Sequence, residues 1–502
     1  MKYNSTRNSG VSVSAAQAIS RGISADGGLF VPESMPWLSY TDLKHFAELD
    51  YVSLAAELLG RFLEDYTREE LQSCVSKAYT REKFGTESIA PLYMLEPKTY
   101  LLELWHGPTC AFKDMALQLL PQLLPLAVQK CGDDKTTVIL VATSGDTGKA
   151  ALEGFRDVPG TKILVFYPKE GVSPMQKLQM TTQPGANTYV CAIDGNFDAA
   201  QSGVKAIFGD EKFGARLAEN GMAFSSANSI NWGRLVPQIV YYVSAYADLM
   251  RNERITCGEK INVVVPTGNF GNILAAYCAK KMGIPIGKLI CASNSNNVLT
   301  DFIKTGVYNR NRAFHTTISP SMDILISSNL ERLLYDLSGC DDAKIRTWMA
   351  ELAQTGRFEV DESVLTGLQD YFWGGFCDDA ATRYTIRDIY RQYSYVCDPH
   401  TAVAVNVCRQ YRAKTGDTSK TVIASTASPF KFAGSVLDAI WEGQEPQGGV
   451  PEDEAERLRA LAELAMTRPP RPLEELFRLP VRFSDSCARG QMEDTIARVL
   501  GI

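Results

Sequence analysis

One lysine stands out for its setting. In WHGPTCAFKDMA (105–116), Lys113 falls just inside an expected helix, between Phe112 and Met115. An amine in apolar surroundings is disfavoured as an ammonium, so its pKa falls and it becomes a nucleophile toward a carbonyl. An isolated lysine is more often a surface residue, and the residues around it decide. The loop PTGNFGN (266–272) carries Gly268 and Gly271 with no acidic residue and no P-loop lysine. Backbone N–H groups of such a loop, and of the helix after it, suit a phosphate held without Mg²⁺. ATSGDTG (142–148) packs the hydroxyls of Thr143, Ser144 and Thr147 beside Gly145 and Gly148 at a helix start, a pattern that favours a small carboxylate or phosphate. Both loops also fit blander readings, a plain turn and a hydroxyl-capped helix. SSANSINWGR (225–234) brings Arg234 alongside Asn and Ser donors, either a second anion clamp or a polar loop with a solvated arginine. An amine, a phosphate cradle and a carboxylate cradle together are what a Schiff-base cofactor with a phosphate handle needs to act on an amino acid.

Other chemistries have little to draw on. Only 4 of the 502 residues are His, so multi-histidine metal sites are disfavoured and no metal is expected. Histidine is a residue type suited to proton transfer, but a lone histidine is more often a structural hydrogen bonder, and neither His106 nor His400 is assigned as a base. No GxGxxG or GxxxxGK[ST] motif occurs, which argues against a dinucleotide or a P-loop nucleotide. A net charge of −7 argues against a nucleic-acid partner. The 12 cysteines include no CxxC pair and read as free thiols in a reducing cytoplasm. The N-terminus lacks the apolar stretch of a signal peptide, and MALQLLPQLLPLAV (115–128) is too short and too interrupted to span a bilayer. A soluble, cytoplasmic chain with no membrane partner is the expectation.

The elements that must carry these loops follow from hydrophobic patterning. Residues 1–98 mix turn signals with amphipathic runs such as YVSLAAELLGRFLEDY and read as mostly helical. Unbroken apolar strands then alternate with helices: TTVILVA, KILVFYP and NTYVCAI, and later INVVVP, KLICAS and KTVIASTA. That grammar predicts an α/β fold with parallel sheets covered on both faces, in two regions around a cleft. The charged, turn-rich stretch at 442–456 reads as a linker before a C-terminal tail of short helices.

Taken as a set, the motifs resemble the threonine synthases, pyridoxal-phosphate enzymes that convert O-phosphohomoserine and water to threonine and phosphate. YNSTR, ADGGLFVP, HGPTCAFKD, ATSGDTG, SSANSINWGR, PTGNFGN, ASNSNNVLTDF, SPSMDI, DPHTAVA and STASPFKF occur in the family's order across nearly the whole chain. The first two look like the longer class, with an extra N-terminal domain. The resemblance implies a fold type II pyridoxal-phosphate enzyme: a mostly helical N-terminal domain (1–98), a large cofactor domain (99–134 and 260–440), a small α/β domain (135–259), then linker and helical tail (441–502). It implies pyridoxal 5'-phosphate held covalently by Lys113, its phosphate by Gly268, Asn269, Phe270, Gly271 and Asn272, and its pyridine nitrogen opposite the Thr426 hydroxyl. Asp146 would lie on the cofactor side of its loop, with Thr143, Ser144 and Thr147 on the substrate carboxylate. Ser226, Asn228, Asn231 and Arg234 would take the substrate phosphate.

One departure is Ser428, where many relatives have a histidine; it touches a contact near the cofactor and not the central chemistry. The runner-up within the same chemistry is a threonine or serine dehydratase or a cysteine-synthase-like enzyme, which needs no γ-phosphate clamp. A binding protein that has lost its lyase function is a third reading, and an intact Lys113 argues against it. Monomer and homodimer both stay open.

Overall fold

The computed structural model describes every residue except 144, 170, 171, 196 and 444–448. Ser144, assigned above to the substrate carboxylate, therefore lies outside the described residues. The apolar runs form two sheets. The larger has six strands, in the order Phe372–Phe376, Ile286–Ser293, Ile261–Pro266, Thr421–Ser425, Thr99–Glu103 and Leu92–Glu96. All its pairs are parallel except the edge pair Leu92–Glu96 with Thr99–Glu103. The smaller is parallel throughout, in the order Ser486–Ala488, Thr188–Asp194, Thr161–Pro168, Thr136–Ala142 and Met222–Ser225. Central strands such as Ile261–Pro266 are buried along their whole length, which is why their sequences run apolar without alternation.

The N-terminal region is helical, with Ala15–Arg21, Tyr40–Phe46, Tyr51–Gly60 and Arg68–Ala78 as its main helices. It also carries a three-stranded antiparallel sheet in the order Asn8–Val13, Tyr3–Ser5, Phe30–Pro32, which the sequence reading did not foresee. The C-terminal tail has two attachments. Leu458, Leu461, Leu473 and Leu476 bury themselves in the core on the large-sheet side. Cys487, Met492, Ile496 and Leu500 bury themselves against the small sheet, where Ser486–Ala488 adds the edge strand. The tail thus joins the two sheet regions from outside, a role beyond the short helices expected of it.

The helix Trp232–Arg251 is buried on nearly all sides. A helix without a polar face must lie inside the molecule, and this one packs against the N-terminal helix Tyr51–Gly60 and against Gly271–Lys281 of the large-sheet region. Among the described residues no helix is long and apolar enough to cross a membrane.

Every motif singled out for chemistry follows the C-terminal end of a strand. HGPTCAFKD comes after Thr99–Glu103, ATSGDTG after Thr136–Ala142, SSANS after Met222–Ser225, PTGNFGN after Ile261–Pro266 and STASP after Thr421–Ser425. In open parallel sheets this edge is where helix N-termini and loop amides open onto the crevice.

Candidate active site

The segment before Lys113 is a tight turn with Cys110 at φ 59°. Asp114 closes it, accepting from the Thr109 N–H at 2.8 Å and the Thr109 hydroxyl at 2.7 Å. The Phe112 N–H donates to the Thr426 carbonyl at 2.8 Å, and Ala111 bridges Ala427. Lys113 and Thr426 are therefore held on adjacent backbone segments. The Lys113 side chain is 12% exposed, and its Nζ lies 4.8 Å from the centre of the Phe112 ring. Burial drives its amine down to about 8; Asp146 opposes this, while Lys431 and Arg234 add to it. Lys113 is largely buried, as its apolar neighbours in sequence suggest, but charged groups as well as Phe112 surround its amine.

Asp146 opens the helix Asp146–Phe155. Gly145, before it, has φ 150°, and a Cβ there would lie 2.5 Å from the Gln176 side chain; both facts require glycine. Thr143 spends its hydroxyl inside the loop, accepting from the N–H groups of Gly145 and Gly148 at 3.0 Å each. Thr147 is half-buried in the first helical turn. Asp146 Oδ1 accepts from Lys431 Nζ at 2.6 Å and from Gln176 Nε2 at 2.8 Å. Its Oδ2 accepts from the Ser321 hydroxyl at 3.2 Å and lies 3.8 Å from Lys113 Nζ. Burial alone would raise this carboxyl, but the charges of Lys431 and Lys113 and the hydrogen bonds from Lys431 and Gln176 hold it well below the usual range.

The loop Gly268–Asn272 leads into the helix Gly271–Lys281, which has no side-chain cap. Its carbonyls are tied down behind it: Gly268 O accepts from the Ser327 hydroxyl at 2.7 Å, and Asn269 O from the N–H and side chain of Asn329, both at 3.1 Å. A Cβ on Gly268 would lie 2.8 Å from the Ser321 carbonyl, so this loop abuts the residue that touches Asp146. Phe270 sits at φ 64°, a left-handed conformation costing a non-glycine residue about 1–2 kcal/mol. It is held by burial and by the Phe372 ring, 5.7 Å between centroids. The Asn272 side-chain oxygen accepts from the hydroxyls of Tyr241 and Tyr242. Its buried Nδ2 has no partner among the described residues. An uncapped helix start with an unpartnered amide donor fits a phosphate.

The Ser225–Arg234 segment divides its labour. Ser226 Oγ accepts from the Asn228 N–H at 3.2 Å. Asn231 is fully committed, donating to Ile19 O and Ser226 O at 2.9 Å each and accepting from the Gly233 N–H at 2.8 Å. It fastens the loop to the N-terminal region. Arg234 is different. Its side chain is buried, donates to Ala227 O at 2.6 Å, and leaves Nε without a partner among the described residues. Burial pulls its guanidinium down to about 10 with no carboxylate opposing. A buried, unneutralised guanidinium beside Lys113 is a site for an anion.

Residues that the sequence reading passed over complete the site. Lys431 lies in the quoted STASPFKF, and Ser321 in SPSMDI; a lysine inside the apolar run PFKF was the available signal for the first. Gln176, Asn329 and Arg332 gave none, since their importance depends on long-range contacts. Arg332 donates to Phe30 O at 3.0 Å, to Ile230 O and to Asn329 Oδ1, joining the N-terminal region, the Arg234 loop and the support of the Gly268 loop. His400 is a hydrogen bonder: its Nε2 accepts from the Ser321 N–H at 3.1 Å, so its Nδ1 proton points to Asp398, 2.7 Å away.

Known proteins resemble this chain over most of its length. Residues 2–79 match the model of the threonine synthase N terminus, 90–371 that of pyridoxal-phosphate dependent enzymes, and 401–486 that of the threonine synthase C-terminal region. Human threonine synthase-like 1 is 41% identical over 85% of this chain, and the chain spans 58% of that relative's length. Threonine synthase of Saccharomyces cerevisiae is 37% identical over 87% of the chain and 89% of its own. The crystal structure of PLP-bound threonine synthase from Brucella melitensis superposes with a TM-score of 0.86 at 34% identity, covering 99% of each chain.

Neutralising Asp146 leaves the buried Lys431 ammonium without a counter-charge. Asp146→Asn is expected to lower the unfolding free energy by about 3–5 kcal/mol in urea titrations at neutral pH. Because the Asp146 pKa is depressed from 3.8, its contribution is present above that pH and is lost as pH falls. The variant and the parent should therefore converge in acid; an undiminished gap there would show that the loss at neutral pH was steric.

Proposed function

The chain belongs to the threonine synthase family, and on that premise we propose that it is a carbon–oxygen lyase converting O-phospho-L-homoserine and water to L-threonine and phosphate, the last step of threonine biosynthesis. The cofactor is pyridoxal 5'-phosphate, the group on which the family depends, and the residues present fit it. Lys113 would hold it covalently. Gly268, Asn269, Phe270, Gly271 and Asn272 would hold its phosphate, and Thr426 would face its pyridine nitrogen. When bound, the cofactor delocalises the electron pair left on a deprotonated carbon next to the amine it carries.

The rest is done by side chains. Thr143, Ser144 and Thr147 are assigned to the carboxylate loop, Thr143 by shaping it. Arg234, with Ser226, Asn228 and Asn231 framing its loop, is assigned to the substrate phosphate. Fastening the substrate at both ends directs its Cα–H bond toward the Lys113 amine and spends remote binding energy on alignment. Lys113 removes the Cα proton and then a Cβ proton, phosphate departs from Cγ with the bonding electrons, a proton is delivered to Cγ to complete the methyl group, water adds its hydroxyl at Cβ, and Lys113 returns a proton to Cα. An amine near neutrality can take protons and give them back, as one group doing several transfers must. The observation that carries this reading over a dehydratase is Arg234, whose buried charge has no use for a substrate without a phosphate.

The decisive measurement is phosphate release from O-phosphohomoserine with threonine as co-product. Faster deamination of threonine or serine would favour a dehydratase. Lys113→Ala is expected to lose both turnover and the visible absorbance of the bound cofactor. Arg234→Met is expected to lower kcat/KM for O-phosphohomoserine roughly 10- to 100-fold, the size of a charge-assisted hydrogen bond, while the cofactor spectrum stays intact. Lys113 acts as a base only when neutral, so the turnover rate should rise with pH through about 8 and level off above; a flat profile would remove Lys113 as the base.

A further inference from the structure

Two lysines share one carboxylate at this site, and the sharing is unequal. Lys431, on the short turn Pro429–Phe432, is completely buried and sits 2.6 Å from Asp146 Oδ1. Its remaining contact is the Thr109 carbonyl at 3.0 Å, in the turn that presents Lys113. Gln176 takes the same Oδ1 at 2.8 Å. Oδ1 thus carries two donors, while Oδ2, with Ser321 on it, is the oxygen that lies 3.8 Å from Lys113 Nζ. A carboxylate free to turn would close that gap into a contact ion pair and stabilise Lys113 as the ammonium.

We infer that Lys431 is a positioning residue: by holding Asp146 through Oδ1 and setting its own charge beside Lys113, it keeps the Lys113 amine ready to act as nucleophile and base. The inference rests on the reading of Lys113 given above. The groups facing Lys113 are Asp146 from the helix Asp146–Phe155, Lys431 from its turn, Arg234 from the helix Trp232–Arg251 and, from its own segment, Asp114. Three of these act in fixed frames: Arg234 hydrogen-bonds to Ala227 O, Asp114 to Thr109, and Lys431 to Thr109 O. Asp146 is the group whose approach another residue controls. Its control by a lysine also explains why a cation is buried here: a neutral donor would hold Oδ1 but would leave the negative charge uncompensated next to Lys113.

The test reads Lys113 directly and needs no substrate. The full-length chain, freed of cofactor, is mixed with pyridoxal phosphate across a pH series, and the growth of visible absorbance is timed. Lys113 attacks the aldehyde only as the neutral amine, so the rate titrates with Lys113 at a midpoint near 8 in the parent. Lys431→Met is expected to raise that midpoint by about one unit or more, a roughly tenfold smaller neutral fraction at lower pH. Lys431→Arg should restore it, and adding Asp146→Asn to Lys431→Met should bring it back to or below the parental value. The double variant leaves no unpaired buried carboxylate, so it and Lys431→Arg serve if Lys431→Met fails to fold. A midpoint unmoved in Lys431→Met, with a raised KM for O-phosphohomoserine, would overturn the proposal and make Lys431 a substrate anchor. A midpoint that rises as much with Asn at 146 as with Asp would also overturn it, because control would not run through Asp146. Failure of the reading itself looks different: the parent would capture no cofactor at any pH.

Discussion

Cations and carboxylates held together away from water are the constraint around which this site is arranged. Lys113, Lys431 and Arg234 lie together out of water, and Asp146 is the carboxylate set between the two lysines. Removing such charges from solvent costs several kcal/mol each unless partners compensate. Lys431 is compensated by Asp146. Lys113 is compensated only in part, by Asp146 at the longer distance of 3.8 Å, and burial lowers the proton affinity of both Lys113 and Arg234. Backbone carbonyls hold two of these cations, Ala227 O taking Arg234 and Thr109 O taking Lys431.

That constraint gives the N-terminal region a purpose beyond stability. Arg332 spans Phe30 O, Ile230 O and Asn329, and Asn231 spans Ile19 O and Ser226 O. Thr6 and Arg7 together grip Glu331, the arginine through both carboxylate oxygens at 2.9 and 2.8 Å. Through Phe30, Ile19, Thr6 and Arg7 the N-terminal region is thus fastened to the segments around Asn231 and Arg332. A rigid frame is what backbone donors need, because their geometry at the phosphate is only as good as the fixing of the carbonyls behind them. The Gly268 loop illustrates this, with its carbonyls engaged by Ser327 and Asn329 and its Phe270 kept in a left-handed conformation by packing.

Much of this was legible in the chain. Six apolar strands and the loops after them could be read from patterning alone, because parallel strands buried on both faces leave an uninterrupted hydrophobic record. Lys113 could be read from its apolar neighbours, and the Gly268 loop from what it lacked, an acidic residue and a P-loop lysine. The roles of hydroxyls and amides were less legible. Thr143 and Asn231 looked like ligand donors, but the turn and the N-terminal region use their hydrogen-bonding capacity; local sequence gives a donor's presence and not its commitments. The N-terminal sheet was hidden in short strands without periodicity, and the edge strand Ser486–Ala488 in three residues far from any partner in sequence. Lys431, Gln176 and Ser321 meet at Asp146 from three separate segments, a convergence that only the folded topology creates.

The scarcity of histidine has a structural counterpart in how His400 is used. Its Nε2 accepts a backbone N–H from Ser321 and its Nδ1 proton goes to Asp398, which also caps the helix Pro399–Thr415. Both ring nitrogens are engaged within the protein, which fixes the orientation of the imidazole. What it does is place Ser321, whose hydroxyl donates to Asp146 Oδ2 and whose carbonyl crowds Gly268. A rigid line from Asp398 through His400 and Ser321 thus ends between the carboxylate that faces Lys113 and the loop suited to phosphate. The histidine serves as a strut that keeps the Asp146 and Gly268 loops in register.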